Sequence, residues 1–290
     1  MRTRPTAASC VVAILLGGAI GCGQPALERL SEARGLTAEL RVQFTKAADA
    51  TNRTVMANTD EASVVSVREA EQATQAVQRD TDTLKPLLVG LDFANETRLL
   101  EEFGGCFAEY RVLDRRILDL AGENTNIKAQ QLSFGLAQDA ANAFRDSLEA
   151  VTRLPRANDN WRVRALVATA VSEVREIQVL QALHIPEADD TAMTRIEKQM
   201  ATAESTARRA LQTLAEAVPP EAKPDLAAAA GALDRFIAIN TQLIALSRRN
   251  TNVRSLALSL GEKGTLTARC EESLRALGGE LAKRGFSGTR

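Results

Sequence analysis

The chain holds a single histidine, His184, and three carboxylates follow it closely in "HIPEADD": Glu187, Asp189 and Asp190. An imidazole beside a carboxylate is the minimum for general acid–base work. Any Ser-His-Asp or Cys-His arrangement in this chain has to use His184. The same four side chains have the donor types of a metal site. The alternative is a turn whose carboxylates cap the next helix, and short acidic side chains before an apolar run have that use. The turn is the reading adopted, and no catalytic residue, metal ligand or cofactor is assigned. The spacing Glu-x-x-His used by di-iron bundles does not occur. The glycine pairs at 104–105 and 278–279 lie in helical stretches, without the strand that precedes a phosphate loop.

A second constellation is polar rather than catalytic. "NTNIKAQQLSFG" begins at Asn124 and "NTNVRSLALSLG" at Asn250, 126 residues later. Asn124, Asn126, Asn250 and Asn252 supply amide donors and acceptors. Lys128 and Arg248 add positive charge, with Arg249 and Arg254 nearby and Glu123 as a partial partner. One reading is a ligand-binding site for a small anion or carboxylate between helices. The other is structural: seam asparagines set helix register and pair with their symmetry mates, while the basic side chains point to water.

The elements that position these residues follow from composition and breakers. Aromatics are 3% of the chain, and Ala, Leu, Glu, Arg and Gln are abundant, a mix that favours long helices. The 36 basic and 37 acidic residues leave a net charge near −1, with no basic excess to attract nucleic acid. The first helix is expected from about 26 to 57. "NTDEAS" supplies a cap at Thr59 or Asp60, and a second helix follows to about Val89, bent by Pro86 and ended by Gly90. Asn95 is placed as the next cap. From Glu96 to Leu154 there is no proline. "PRANDN" breaks the chain, helices follow from Trp161 to about Ala182 and from Thr191 to Ala217, and "VPPEAKP" breaks it again. A last proline-free stretch runs from Asp225 to about Arg284.

The pattern is short, short, long, twice. At an offset of 126, residues 124–150 and 250–276 share nine identities, which points to an internal duplication. Apolar residues keep one phase across both Asn-Thr-Asn runs: Tyr110, Leu113, Ile117, Ile127 and Phe134 in the first copy, and Phe236, Leu243, Leu246, Val253 and Leu260 in the second. That predicts two continuous helices of about 60 residues and about 90 Å each. The expected fold is all-α: six helices, two long and four short, forming two stacked four-helix bundles that share the long pair. Two independent bundles in tandem are the alternative. Repeat 1 is placed at 26–155, repeat 2 at 156–285, and a disordered tail at 286–290.

Antiparallel long helices put residues at equal height when their numbers add to about 376. Thr125 faces Thr251 by that rule, and Cys106 comes level with Cys270. A Cys106–Cys270 disulfide is therefore predicted, with Gly104 and Gly105 allowing close backbone approach. Tandem bundles would hold these cysteines apart.

The N-terminus carries an address. "MRTR" and "AASCVVAILLGGAI" form the basic and apolar regions of a signal peptide, expected at 1–21 and too short to span a membrane. "AIGC" resembles the lipobox of bacterial lipoproteins, with Ala19 where that family usually has Leu. The resemblance implies lipidation at Cys22, a short tether at 22–25, and, with Gly23 rather than Asp next, an outer-membrane or surface location in the cell envelope. The compartment permits disulfides.

The stretch "EVREIQVLQALHIPEADDTAMTRIEKQMATAESTARRALQTL", followed by "FIAINTQLIALSRRNTN", resembles the four-helix-bundle ectodomains of methyl-accepting chemotaxis receptors over about 160–285. Through the repeat the similarity extends to about 30–155, and it looks like the helical bimodular type. The resemblance implies a sensor-like module that binds small molecules, often organic acids, between helices. No second membrane span, HAMP linker or cytoplasmic signalling hairpin is visible in the sequence. The expected function is thus a non-catalytic, lipid-anchored, ligand-binding protein, with a small organic anion or an envelope protein as partner. A helical spacer or scaffold lipoprotein is the alternative.

Overall fold

The computed structural model describes residues 24–158 and 160–287. The expected signal peptide at 1–21 and the lipid-bearing Cys22 lie outside the described residues. The described chain is all-helical, with no strand among the described residues. None of its helices is long and apolar enough to cross a membrane.

Helices α1 (Gln24–Val55) and α2 (Asp60–Gly90) form the first hairpin. Thr59 caps α2 by accepting the Ala62 N–H. The first long rod has three helical parts: α3 (Ala94–Glu123), α4 (Thr125–Leu132) and α5 (Gln138–Arg153), with a π-helical turn at Ser133–Ala137 before α5. A single turn, α6 (Pro155–Asn158), leads to the second hairpin, α7 (Trp161–His184) and α8 (Asp190–Ala217). Asn160 caps α7 and Asp189 caps α8, each accepting two backbone N–H groups. The second long rod repeats the first as α9 (Lys223–Arg249), α10 (Thr251–Leu258), a π-turn at Ser259–Lys263 and α11 (Gly264–Ser287).

Several expectations are corrected. Asn95 is not the cap of α3, which begins one residue earlier; its side chain accepts from Arg98 at 3.0 Å. The tail expected to be disordered from 286 is still helical at Ser287. A methyl group at Gly104 or Gly105 would meet nothing within 4 Å, so these glycines do not mediate a close approach.

The largest correction concerns continuity. Both long helices break, at Asn124 (φ 50°, ψ 38°) and Asn250 (φ 54°, ψ 37°). This left-handed conformation disfavours Cβ-bearing residues by roughly 1–2 kcal/mol, and Asn is among the few that tolerate it. Apolar phase misled because it counts residues and not rotations. The left-handed residue redirects the chain, and the π-turn then accommodates an extra residue in its wider loop. Phe134 and Leu260 share the sequence phase of buried neighbours, yet they are 69% and 76% exposed.

Two apolar cores result. One joins α1, α2, α3 and α11 around Leu40, Phe44, Phe103, Tyr110, Leu274 and Leu281. Phe44 meets Phe103 and Tyr110 edge-on, at centroid distances of 5.8 and 5.0 Å. The other core joins α5, α7, α8 and α9 around Phe144, Leu148, Ile177, Leu214 and Phe236. Each long rod serves both cores and runs antiparallel to the other, α3 beside α10 and α11, α4 and α5 beside α9. Cys106 and Cys270 are joined, with Cα atoms 5.6 Å apart. Beyond them, Arg284 clasps the buried Glu96 at 2.7 and 3.0 Å and lies over the Phe93 ring.

Candidate functional site

The Asn-Thr-Asn runs meet where the rods cross. Each break frees backbone N–H groups at the start of the following helix, and the opposite copy satisfies them. Thr125 N–H donates to Thr251 Oγ1 and Thr251 N–H to Thr125 Oγ1, both at 3.2 Å. Asn126 N–H donates to Asn252 Oδ1 and Asn252 N–H to Asn126 Oδ1, both at 3.1 Å. The amides close the circuit, Asn126 Nδ2 to Asn250 Oδ1 at 2.9 Å and Asn252 Nδ2 to Asn124 Oδ1 at 3.0 Å. Asn124 also donates to Asp60, and Asn250 to the Glu187 carbonyl. This is reciprocal capping between two copies of one motif.

The structure thus brings Asn124, Asn126, Asn250 and Asn252 together and occupies their polar groups with one another. Lys128 lies at the rim, donating to the Glu123 carbonyl at 2.9 Å with Asp60 at 3.7 Å. Arg248 goes elsewhere, gripping Glu197 through Nε at 2.6 Å and Nη2 at 2.9 Å. Arg249 pairs with Glu123 at 2.5 Å. Asn124→Ala is expected to lose about 2–3 kcal/mol of unfolding free energy, through left-handed strain and the bonds to Asp60 and Asn252. Asn124→Gly keeps the backbone freedom and should lose only about half as much in urea titrations. Equal losses would assign the whole effect to the side-chain amide.

His184 is the last residue of α7 and fully buried, not a turn residue. Its Nδ1 lies 2.9 Å from Ser247 Oγ, and its Nε2 lies 2.9 Å from Glu197 Oε1. A serine, an imidazole and a carboxylate stand in relay order, but Ser247 has no exposed surface and donates to the His184 carbonyl at 3.0 Å. Arg248 holds the Glu197 carboxyl below its ordinary range against the opposing effect of burial. Glu187 and Asp189 accept backbone N–H groups of their own turn, and Asp190 takes Arg248. Among the described residues no cluster of three metal-ligating side chains forms.

A buried charge pair has no forerunner in the sequence reading. Asp114 and Lys263 lie 3.8 Å apart with side chains 3% exposed, in the half that carries the disulfide. Thr51 donates to Asp114 at 2.8 Å; Lys263 donates to the Ala48 carbonyl at 3.0 Å and Asn52 at 3.1 Å. Burial pulls the Lys263 pKa down to about 8 and pushes Asp114 above the usual carboxylate value, each countered by its partner's charge. The fully buried Tyr110 hydroxyl has no hydrogen-bond partner. The sequence held a usable signal: the numbers 114 and 263 add to within one of the level rule, and Lys263 precedes Cys270 by seven on the seam.

The same offset of 126 leads to a neutral counterpart around the other core. Asn240 lies 126 residues beyond Asp114; it accepts from Gln181 at 2.9 Å, whose Oε1 takes the hydroxyl of Ser133 at 2.8 Å. Ser133 and Lys263 sit at the two π-turns, which are themselves 126 residues apart. Outside the charged member, an open groove runs between α2 and α3, lined by Glu71, Thr74, Arg111, Asp114, Arg115 and Leu118. The Thr74 hydroxyl oxygen in its wall is buried without a hydrogen-bond partner.

No protein-family model, curated protein or solved structure matches this chain.

Proposed function

We propose that this protein is a non-catalytic, lipid-anchored helical module of the bacterial cell envelope that binds a small molecule between its helices. In this reading the six rods are two four-helix bundles stacked end to end. Each is completed by parts of both long rods, and the halves arose by duplication, in the manner of sensor ectodomains. The observation that carries ligand binding is the α2/α3 groove: Asp114 is among its lining residues, and it holds the unpartnered Thr74 oxygen in its wall. An orphaned buried oxygen costs free energy unless something bonds to it. The sealed Ser247 supports the absence of catalysis, and Cys22 with its preceding small residues supports the anchor.

A second reading, a spacer or docking lipoprotein, draws on the junction. Reciprocal capping locks the two halves in register, as a rigid strut requires. A thermal-shift panel of organic acids, amino acids and amines on residues 23–290 separates the two. A binder at a hundredfold its Kd stabilises by about 2.7 kcal/mol, a shift of roughly 5 °C or more for a chain of this size. Thr74→Val should abolish that shift while leaving the unliganded midpoint equal to or above the parent's, since it removes the orphaned oxygen. A panel without any shift would favour the spacer.

A further inference from the structure

We infer that the groove between α1 and α11, on a different face from the α2/α3 groove, is a binding site for a phosphate group. Its lining includes three arginines from two helices, Arg34, Arg41 and Arg275, and no carboxylate. Several surface arginines elsewhere in this protein meet an acid, as Arg53 meets Glu69, Arg115 meets Glu71 and Arg208 meets Asp234. These three do not. Arg34 donates through Nε and Nη2 to the Leu281 carbonyl at 3.0 and 2.9 Å, and through Nη2 to the Ala282 carbonyl at 3.1 Å. Carbonyl oxygens hold the guanidinium in place and leave its full charge uncompensated. Arg41 and Arg275 make no side-chain hydrogen bond or ion pair among the described residues. The acids nearest along the same helices, Glu32, Glu39, Glu271 and Glu272, do not line the groove, and Glu39 is taken by Gln43.

The groove is also kept open. Gly278 and Gly279 line it, and a methyl group at either would meet nothing closer than Thr37 Cγ2 at 3.9 Å. Packing therefore does not demand glycine here, and a side chain would only fill the groove.

Three guanidinium groups on two sides of one trough suit a group with two negative charges and several acceptor oxygens. Planar forks pair with phosphate oxygens two at a time. That chemistry comes from a soluble phosphate monoester or from a phospholipid headgroup. Arg34 lies ten residues into α1, about 15 Å along the helix from its start near Cys22, so both sources reach the groove.

Titration calorimetry of residues 23–290 with glycerol 3-phosphate tests the soluble source. Flotation of the same protein with phosphatidylglycerol vesicles, against phosphatidylcholine vesicles, tests the lipid source. Arg41→Gln/Arg275→Gln removes two forks that hold nothing in the fold, so its melting midpoint should match the parent. Its affinity in the positive arm should fall at least tenfold, while Arg164→Gln/Arg254→Gln on other surfaces should leave that affinity unchanged. Heat with glycerol 3-phosphate identifies a soluble ligand, and flotation alone identifies a headgroup. Binding in neither arm, or an equal loss in both double variants, overturns the assignment.

Discussion

Asp114→Ala is expected to destabilise the protein by about 3–5 kcal/mol. The loss does not come from a strong ion pair. At 3.8 Å the charges are close but not directly hydrogen-bonded, and both have left water. It comes from what remains: a Lys263 ammonium at 3% exposure, left with the Ala48 carbonyl, the Asn52 amide oxygen, the Tyr110 ring and the weaker charge of Asp49. Asp114→Leu/Lys263→Met removes both charges at similar volume and should regain most of the loss, since buried pairs replaced by apolar groups are often neutral or better. Urea titrations of the three proteins read this directly. A loss below about 1 kcal/mol in Asp114→Ala would mean that Lys263 escapes to water.

The pH dependence carries a sign. The folded pKa of Lys263, about 8, lies below its ordinary value of 10.5. Between those values the unfolded chain binds more protons than the folded one, so this group makes stability rise with pH across that window. Removing Asp114 removes the main charge that holds the pKa up and widens the window downward. The deficit of Asp114→Ala should therefore be larger at pH 6 than at pH 10. A constant deficit would remove Lys263 from the explanation.

Cys106→Ser/Cys270→Ser, or reduction of the parent, is expected to lower unfolding free energy by about 2–5 kcal/mol. The bond spans 164 residues of sequence, and a cross-link over so long a loop removes much freedom from the unfolded chain. It ties α3 to α11 within the core of Phe44, Phe103 and Tyr110 and does not touch the core of Phe144 and Phe236. Amide exchange after reduction should accelerate first in α1, α2, α3 and α11, with α7 and α8 protected longer. A non-reducing peptide map should show Cys106 and Cys270 in one linked fragment. Two free thiols would withdraw the bond, and uniform acceleration would mean that the two cores unfold as one unit.

Helix content, the breakers at 155–160 and 218–224, the offset of 126 and the level rule were all readable from residue order. Helical propensity, proline positions and a fixed antiparallel register are local or arithmetical properties. The level rule places Asn126 beside Asn250 and Cys106 beside Cys270 because two straight segments of equal rise keep their numbers in step. It drifts by only a few residues as far out as Glu96 and Arg284. The pairing of Arg248 with Glu197 was not readable. It depends on which face of α8 turns toward α9, and no count along either helix sets that rotation.

The same limit governs the Asn-Thr-Asn runs. Their composition and recurrence marked them as the polar centre of the molecule, and sequence alone settled that much. Whether Asn124 and Asn250 continue a helix or leave it was decided by partners brought from far along the chain. Thr251 and Asn252 cap the helix that follows Asn124, Thr125 and Asn126 cap the one that follows Asn250, and the carbonyls of Ile185 and Glu187 take the remaining amide hydrogens. An unbroken helix would satisfy its backbone alone. The broken one becomes favourable only when the second copy arrives to bond the groups that the break sets free, so the choice belongs to the tertiary structure.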